Sequence, residues 1–130
     1  MGLVPDDVLK RIPAMGSDPD TPLRDTVVHA RLFDPESSWQ WFIMESADSE
    51  TFFGIVVSGS VALAGQFGLN ELEALQDPDG EPAVRFDPDF QPLTAAKLAE
   101  KLPTIAGLLK EPSPREINRV RELVDLDPGD

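Results

Sequence analysis

The chain has 130 residues, 24 acidic against 11 basic side chains, a formal net charge of −13 and no cysteine. That length favours one domain, able to bury about two-thirds of its unfolded surface without covalent staples. The charge argues against direct nucleic-acid binding, which needs a basic surface, and the missing cysteines exclude a disulfide frame, a thiolate nucleophile and cysteine metal ligation.

The start of the chain, MGLVPDDVLKRIP, carries acids at Asp6 and Asp7 and no long apolar run, unlike a signal peptide. No window approaches the roughly 18 apolar residues of a membrane span. The expectation is a cytoplasmic protein with no membrane contact. Residues 1–12 predict a short helix, with Pro5 in its first turn, Val8, Leu9 and Ile12 as an apolar stripe and Pro13 as its stop. The Gly, Pro, Ser and Asp that follow, to Asp25, read as a loop.

The stretch from Val27 to Leu75 organises the chain: it holds both tryptophans, five of the seven phenylalanines and the only histidine. Val27–Phe33 fits a strand, with Val28, Ala30 and Leu32 on one face and His29 and Arg31 on the other. Asp34-Pro35 opens a turn. Trp39–Met44 is the next strand, with Trp39, Trp41 and Ile43 on one face and Phe42 and Met44 on the other. Two apolar faces predict a central strand covered on both sides. Thr51–Val57 has the same character, Gly59 marks a turn, and Ala62–Phe67 is a fourth strand. Gaps this short predict an antiparallel meander, because parallel strands need long crossovers.

Asn70 with Glu73 three residues on resembles a capping box, opening a short helix with Leu69, Leu72 and Leu75 inside. Asp77-Pro78-Asp79-Gly80 is a turn sequence. Ala83–Phe86 fits an edge strand, since the prolines at 82, 88 and 92 rule out a long central one. Thr94 caps AAKLAEKL, Pro103 ends it, and Thr104–Lys110 follows as a further short helix. Ser113-Pro114-Arg115-Glu116 then opens a last helix with Ile117, Val120 and Val124 as its stripe. The fold class is therefore α+β: a small antiparallel meander sheet of three to five strands packed with short helices. Residues 1–96 form the domain and 97–130 a helical extension packed on it.

The pieces VHARLFDP, SSWQWF, TFFGIV, GQFGLNELEAL and RFDPDFQPL, in that order and spacing, resemble a family termed domain of unknown function 2958. Its members are small bacterial proteins, often encoded on plasmids and conjugative elements. The resemblance covers roughly residues 3–96; Phe42 and Gln66 stand where that family usually has tyrosine. It implies a bacterial or phage origin on a mobile element, and it carries over no catalytic or binding residue.

No catalytic motif stands in the chain. His29 has no recognisable nucleophile or orienting acid in its neighbourhood of sequence, so a structural role is expected. The glycines fit no phosphate-binding spacing, and the DPDG segment lacks the full calcium-loop pattern, so no cofactor or metal is expected. The acids are unevenly spread: residues 1–96 hold 17 acids against 5 bases. Asp34, Glu36, Glu45, Asp48 and Glu50, near the strand ends of the meander, are the candidate interaction residues. The leading expectation is a small, non-enzymatic interaction protein with a basic protein partner. Its sharper form is a DNA mimic that inhibits a nucleic-acid-binding host defence protein. The alternatives are a hydrolase or transferase using two converging carboxylates, and a ligand-binding module that stacks its ligand on Trp39 and Trp41.

Overall fold

The computed structural model describes residues 3–17, 20–48 and 50–110. Helix α1 (Asp6–Leu9) leads through a loop, with a 3-10 turn at Leu23–Asp25, to β1 (Val27–Val28) and β2 (Ala30–Phe33). Then come β3 (Trp39–Ser46), β4 (Thr51–Ser58) and β5 (Val61–Gly68), which runs straight into α2 (Leu69–Glu73). After β6 (Arg85–Phe86) and β7 (Leu93–Thr94) the chain ends its described part in α3 (Ala95–Lys101), a 3-10 turn (Pro103–Ile105) and α4 (Ala106–Lys110). The main sheet is antiparallel throughout, in the order β5-β4-β3-β2-β6, and β1 pairs with β7 in a separate ribbon. This is the α+β meander that the short gaps predict.

The two-faced strands explain the layering. On the first face Ala30, Leu32, Trp41, Ile43 and Phe52 pack under Val4, Val8 and Ile12 of the N-terminal segment and Leu69 and Leu72 of α2. On the second face Phe42, Met44, Phe53, Ile55 and Val57 pack under Ala95 and Leu98 of α3 and Ile105. Phe42, Ile43, Met44 and Ile55 are at most 1% exposed, so β3 and β4 are the centre of the molecule. Apolar residues on both sides of one strand need a cover on both sides, and the short helices supply it.

Three local expectations are corrected. The first strand is not continuous. Val28 pairs with Leu93 of β7, whereas Ala30 pairs with Ile43 of β3. Val28 enters the second-face core while Ala30 and Leu32 enter the first. The chain changes sides at His29, whose N–H donates to the Ile43 carbonyl at 2.8 Å. Secondly, Asn70 does not cap α2. Gly68 holds the cap position, the Leu69 N–H donates to the Glu50 carbonyl at 2.7 Å, and Asn70 lies inside the helix. The Glu73 carboxylate, freed from a capping box, accepts from the Leu3 N–H at 2.7 Å and ties down the N-terminal segment. Thirdly, α1 is only four residues long and Pro5 precedes it as N-cap rather than standing in its first turn.

Thr94 does cap α3: its hydroxyl oxygen accepts from the Lys97 N–H at 3.3 Å. Residue 96 falls within α3, and Leu98 and Ile105 beyond it belong to the second-face core. The described part of the 97–130 segment thus contributes Leu98 and Ile105 to the core. The last expected helix, from Ser113, lies outside the described residues.

Candidate interaction face

Strands β4 and β5 remain paired up to Ser58 and Val61, so Gly59 and Ser60 alone make the turn. Gly59 has φ +60° and Ser60 does not share the left-handed region, the pattern of a type II′ hairpin with glycine at its first central position. This tight turn locks the register. It sets Trp39, Ser58 and Val61 in one row across the first face, and Trp41, Val56 and Leu63 in the next.

These two rows form the outer end of the first face. Trp41 is buried there at 6% exposure, but Trp39 is 45%, Val61 57% and Leu63 64% exposed. The Trp39 ring stacks on Trp41, with centroids 5.8 Å apart and planes inclined by 19°. The inner residue anchors the outer one. A cluster of large apolar side chains at the surface, on a rigid sheet, is the usual mark of a recognition surface. Aromatic stacking accounts for the pair, so the two tryptophans have different duties: Trp41 belongs to the core and Trp39 to the surface.

The candidate acids do not share one side. Asp34 and Glu36 lie in the β2–β3 turn beside Trp39; the Asp34 N–H donates to the Trp39 carbonyl at 3.1 Å. Asp48 and Glu50 lie beyond the other end of β3, a strand of 8 residues, hence about 25 Å away at roughly 3.3 Å per residue. Glu45 is only 3% exposed and is removed from any projecting surface. The bulge between Ile43 and Glu45 shifts the alternation at this end of β3. Asp34 and Glu36 alone of the five border the apolar patch.

Much of the acidity is turn chemistry. The Oδ1 atoms of Asp34, Asp48, Asp77 and Asp87 each accept from the backbone N–H two residues on, at 2.7–3.0 Å. In each case that later residue is itself acidic: Glu36, Glu50, Asp79 and Asp89. The aspartate closes the turn and leaves the second carboxylate in solvent. The DPDG segment is such a turn, with Gly80 at φ +82°.

Two clefts bear on the alternatives. One of about 220 Å³ is lined by Ser17, Thr21, Asp25, Thr26, His29 and Glu45, among others. It gathers an imidazole, two carboxylates and three hydroxyls that sequence spacing did not connect. Among the described residues, however, the His29 ring makes no hydrogen bond to an orienting acid, and no three His, Cys, Asp or Glu side chains could hold a metal. A second cleft, of about 390 Å³, lies on the second face beside Phe42, Phe90, Leu98 and Lys101. At its edge Arg31 is fixed by Gln40 Oε1 at 2.8 Å, by Asp87 Oδ2 at 2.9 Å and by the Phe33 ring 4.5 Å away. These contacts tie the β6 end to β2.

Burial first, and the Arg11 charge second, hold the His29 pKa below the ordinary imidazole value of 6.5. The folded state therefore binds this proton less readily than the unfolded chain does. The contribution is fully present above pH 6.5 and fades as pH falls through the unfolded value toward the folded one. His29→Gln should flatten the stability-against-pH curve between about pH 7.5 and 5.5 relative to the parent, as followed by urea titration. Parallel curves for the two proteins would refute the assignment.

No family model, no curated protein and no solved structure matches this chain. Among the described residues, no helix is long and apolar enough to cross a membrane.

Proposed function

We propose that the chain is a non-enzymatic interaction protein that docks on a partner protein through the outer end of its first sheet face. The carrying observation is the juxtaposition of Trp39, Val61 and Leu63, all well exposed, on a rigid sheet floor of Trp41 and Val56. Apolar side chains supply the affinity in such a patch and an aromatic anchor concentrates it. The partner is basic: Asp34 and Glu36 border the patch, and the chain as a whole carries −13. Charge of that size steers a basic protein toward the patch and turns other acidic proteins away. An origin on a bacterial mobile element, which the family resemblance implies, would make a host protein the natural partner. The narrower role of a DNA mimic draws support from the total charge and none from the five candidate acids, which lie at both ends of β3.

Affinity purification from the native host, repeated with Trp39→Ala plus Leu63→Ser, tests this. The parent should retain a basic protein, with retention weakening as salt shortens the Debye length from about 10 Å to about 3 Å. The double variant should lose it with unchanged circular dichroism. A partner retained equally by both proteins would remove the patch from the account. A nucleic-acid-binding partner released by nucleic acid would support mimicry.

A further inference from the structure

Strand β5 lies at one edge of the main sheet, pairing only with β4 among the described residues. It is 8 residues long, and its sequence, VALAGQFG, has no charge and no proline. Native sheets normally blunt an edge of that length with lysine, proline, a bulge or a cover, because its free N–H and C=O groups template another strand. Among the described residues β5 carries no lysine, proline or bulge, and its pairing with β4 is regular from Gly68 to Val61. The 3-10 turn Pro103–Ile105 and α4 pack against its second face at Ala62 and Ala64 and make no hydrogen bond to its edge. The opposite edge, β6, has 2 residues and is followed at once by Asp87-Pro88, as a protected edge should be. Among the described residues the sheet is thus asymmetric: one edge is short and guarded, and the other is long and has no hydrogen-bonded neighbour.

The tight hairpin makes Ser58 and Val61 a hydrogen-bonded pair. Backbone groups of Leu63, Gly65 and Phe67 then also point to β4, and those of Ala62, Ala64 and Gln66 point outward. Among the described residues, no partner for these outward groups is seen. The exposed side chains of Val61 and Leu63 stand on this same strand. Open backbone and apolar surface coincide there.

Resting on the interaction reading above, we propose that the partner binds by strand addition: an extended segment of it pairs with β5 and continues the sheet. Main-chain hydrogen bonds would hold it, and its alternate side chains would meet Val61 and Leu63 on the first face. Those positions call for apolar residues. The charged positions of the segment should be lysine or arginine. The Glu71 carboxylate stands beside Gly68 at one end of β5, Glu50 is bonded to the next residue, and β5 itself brings no base. Charge also decides between this occupant and a second copy of the chain, which would bring another −13 to the same edge.

The probe is a capped peptide of about eight residues alternating lysine and valine, added to the full-length protein and followed by amide hydrogen exchange and NMR. The expected result is binding below about 1 mM, with exchange at Ala62, Ala64 and Gln66 slowed at least about tenfold. A peptide N-methylated at alternate residues should not bind, and one alternating glutamate and valine should bind at least about tenfold more weakly. No binding at about 1 mM would overturn strand addition. So would binding that shifts Trp39 and Leu63 without protecting the three amides, although that result would keep the docking face itself. Loss of partner retention in Trp39→Ala plus Leu63→Ser, together with failure of the peptide, would separate a sound face from a mistaken docking mode. Concentration-dependent dimers protected at the same amides would assign the edge to a second copy and overturn the basic partner.

Discussion

Gly54→Ala should cost the fold about 3–5 kcal/mol, the upper end of what single substitutions do. Gly54 sits in the centre of β4, opposite Ile43 of β3. A Cβ there would lie 2.9 Å from the Phe42 carbonyl carbon and closer still to its oxygen. Both atoms are backbone of the neighbouring central strand, so no flexible side chain can yield. The two longest central strands would have to part at the point where Phe42 and Ile43 hold the two cores. Gly65→Ala is the control. Gly65 is the register partner of Gly54 on β5, and a Cβ there meets nothing within 4 Å. Urea unfolding should place Gly65→Ala within about 1 kcal/mol of the parent. Similar, small losses for both variants would show that β3 and β4 are not pressed together as described.

Trp41→Ala should cost about 3–5 kcal/mol and Trp39→Ala about 1 kcal/mol or less, although the residues are two apart and stacked on each other. Trp41 fills the first-face core with Leu32, Ile43 and Leu72, so its removal leaves a cavity. Trp39 is nearly half exposed and its removal leaves solvent where a ring was. Denaturant midpoints of the two variants measure the difference directly. Equal losses would mean that Trp39 is core and the patch is smaller than it looks.

The meander was legible in the sequence because alternating apolar runs separated by Asp-Pro and Ser-Gly breaks leave little choice of topology. The two-sided cover of β3 was legible for the same reason: Trp41 and Ile43 need one core, Phe42 and Met44 another. The break at His29 was not. VVHARLF alternates without interruption, and only the competition between β7 and β3 for its two halves splits it. The Asn70 cap failed because β5 runs one residue further into the helix and the Glu50 carbonyl already takes the first N–H. The candidate site was half visible. The Trp39–Trp41 pair stood out, and period two placed both rings on one face. Val61 and Leu63 did not, because which strand forms the open edge depends on sheet order. The five acids looked alike in the sequence. Strand length and burial then separated Asp34 and Glu36 from Asp48 and Glu50 and withdrew Glu45.

The central claim is that the outer end of the first face is where a partner sits, and Trp39 can report on it alone. In a Trp41→Phe variant, Trp39 is the single tryptophan, since the chain has two. Its fluorescence should be readily quenched by acrylamide in the free protein, and largely shielded once a partner purified from the host saturates the chain. Quenching that stays the same in the free and the saturated protein would contradict the account.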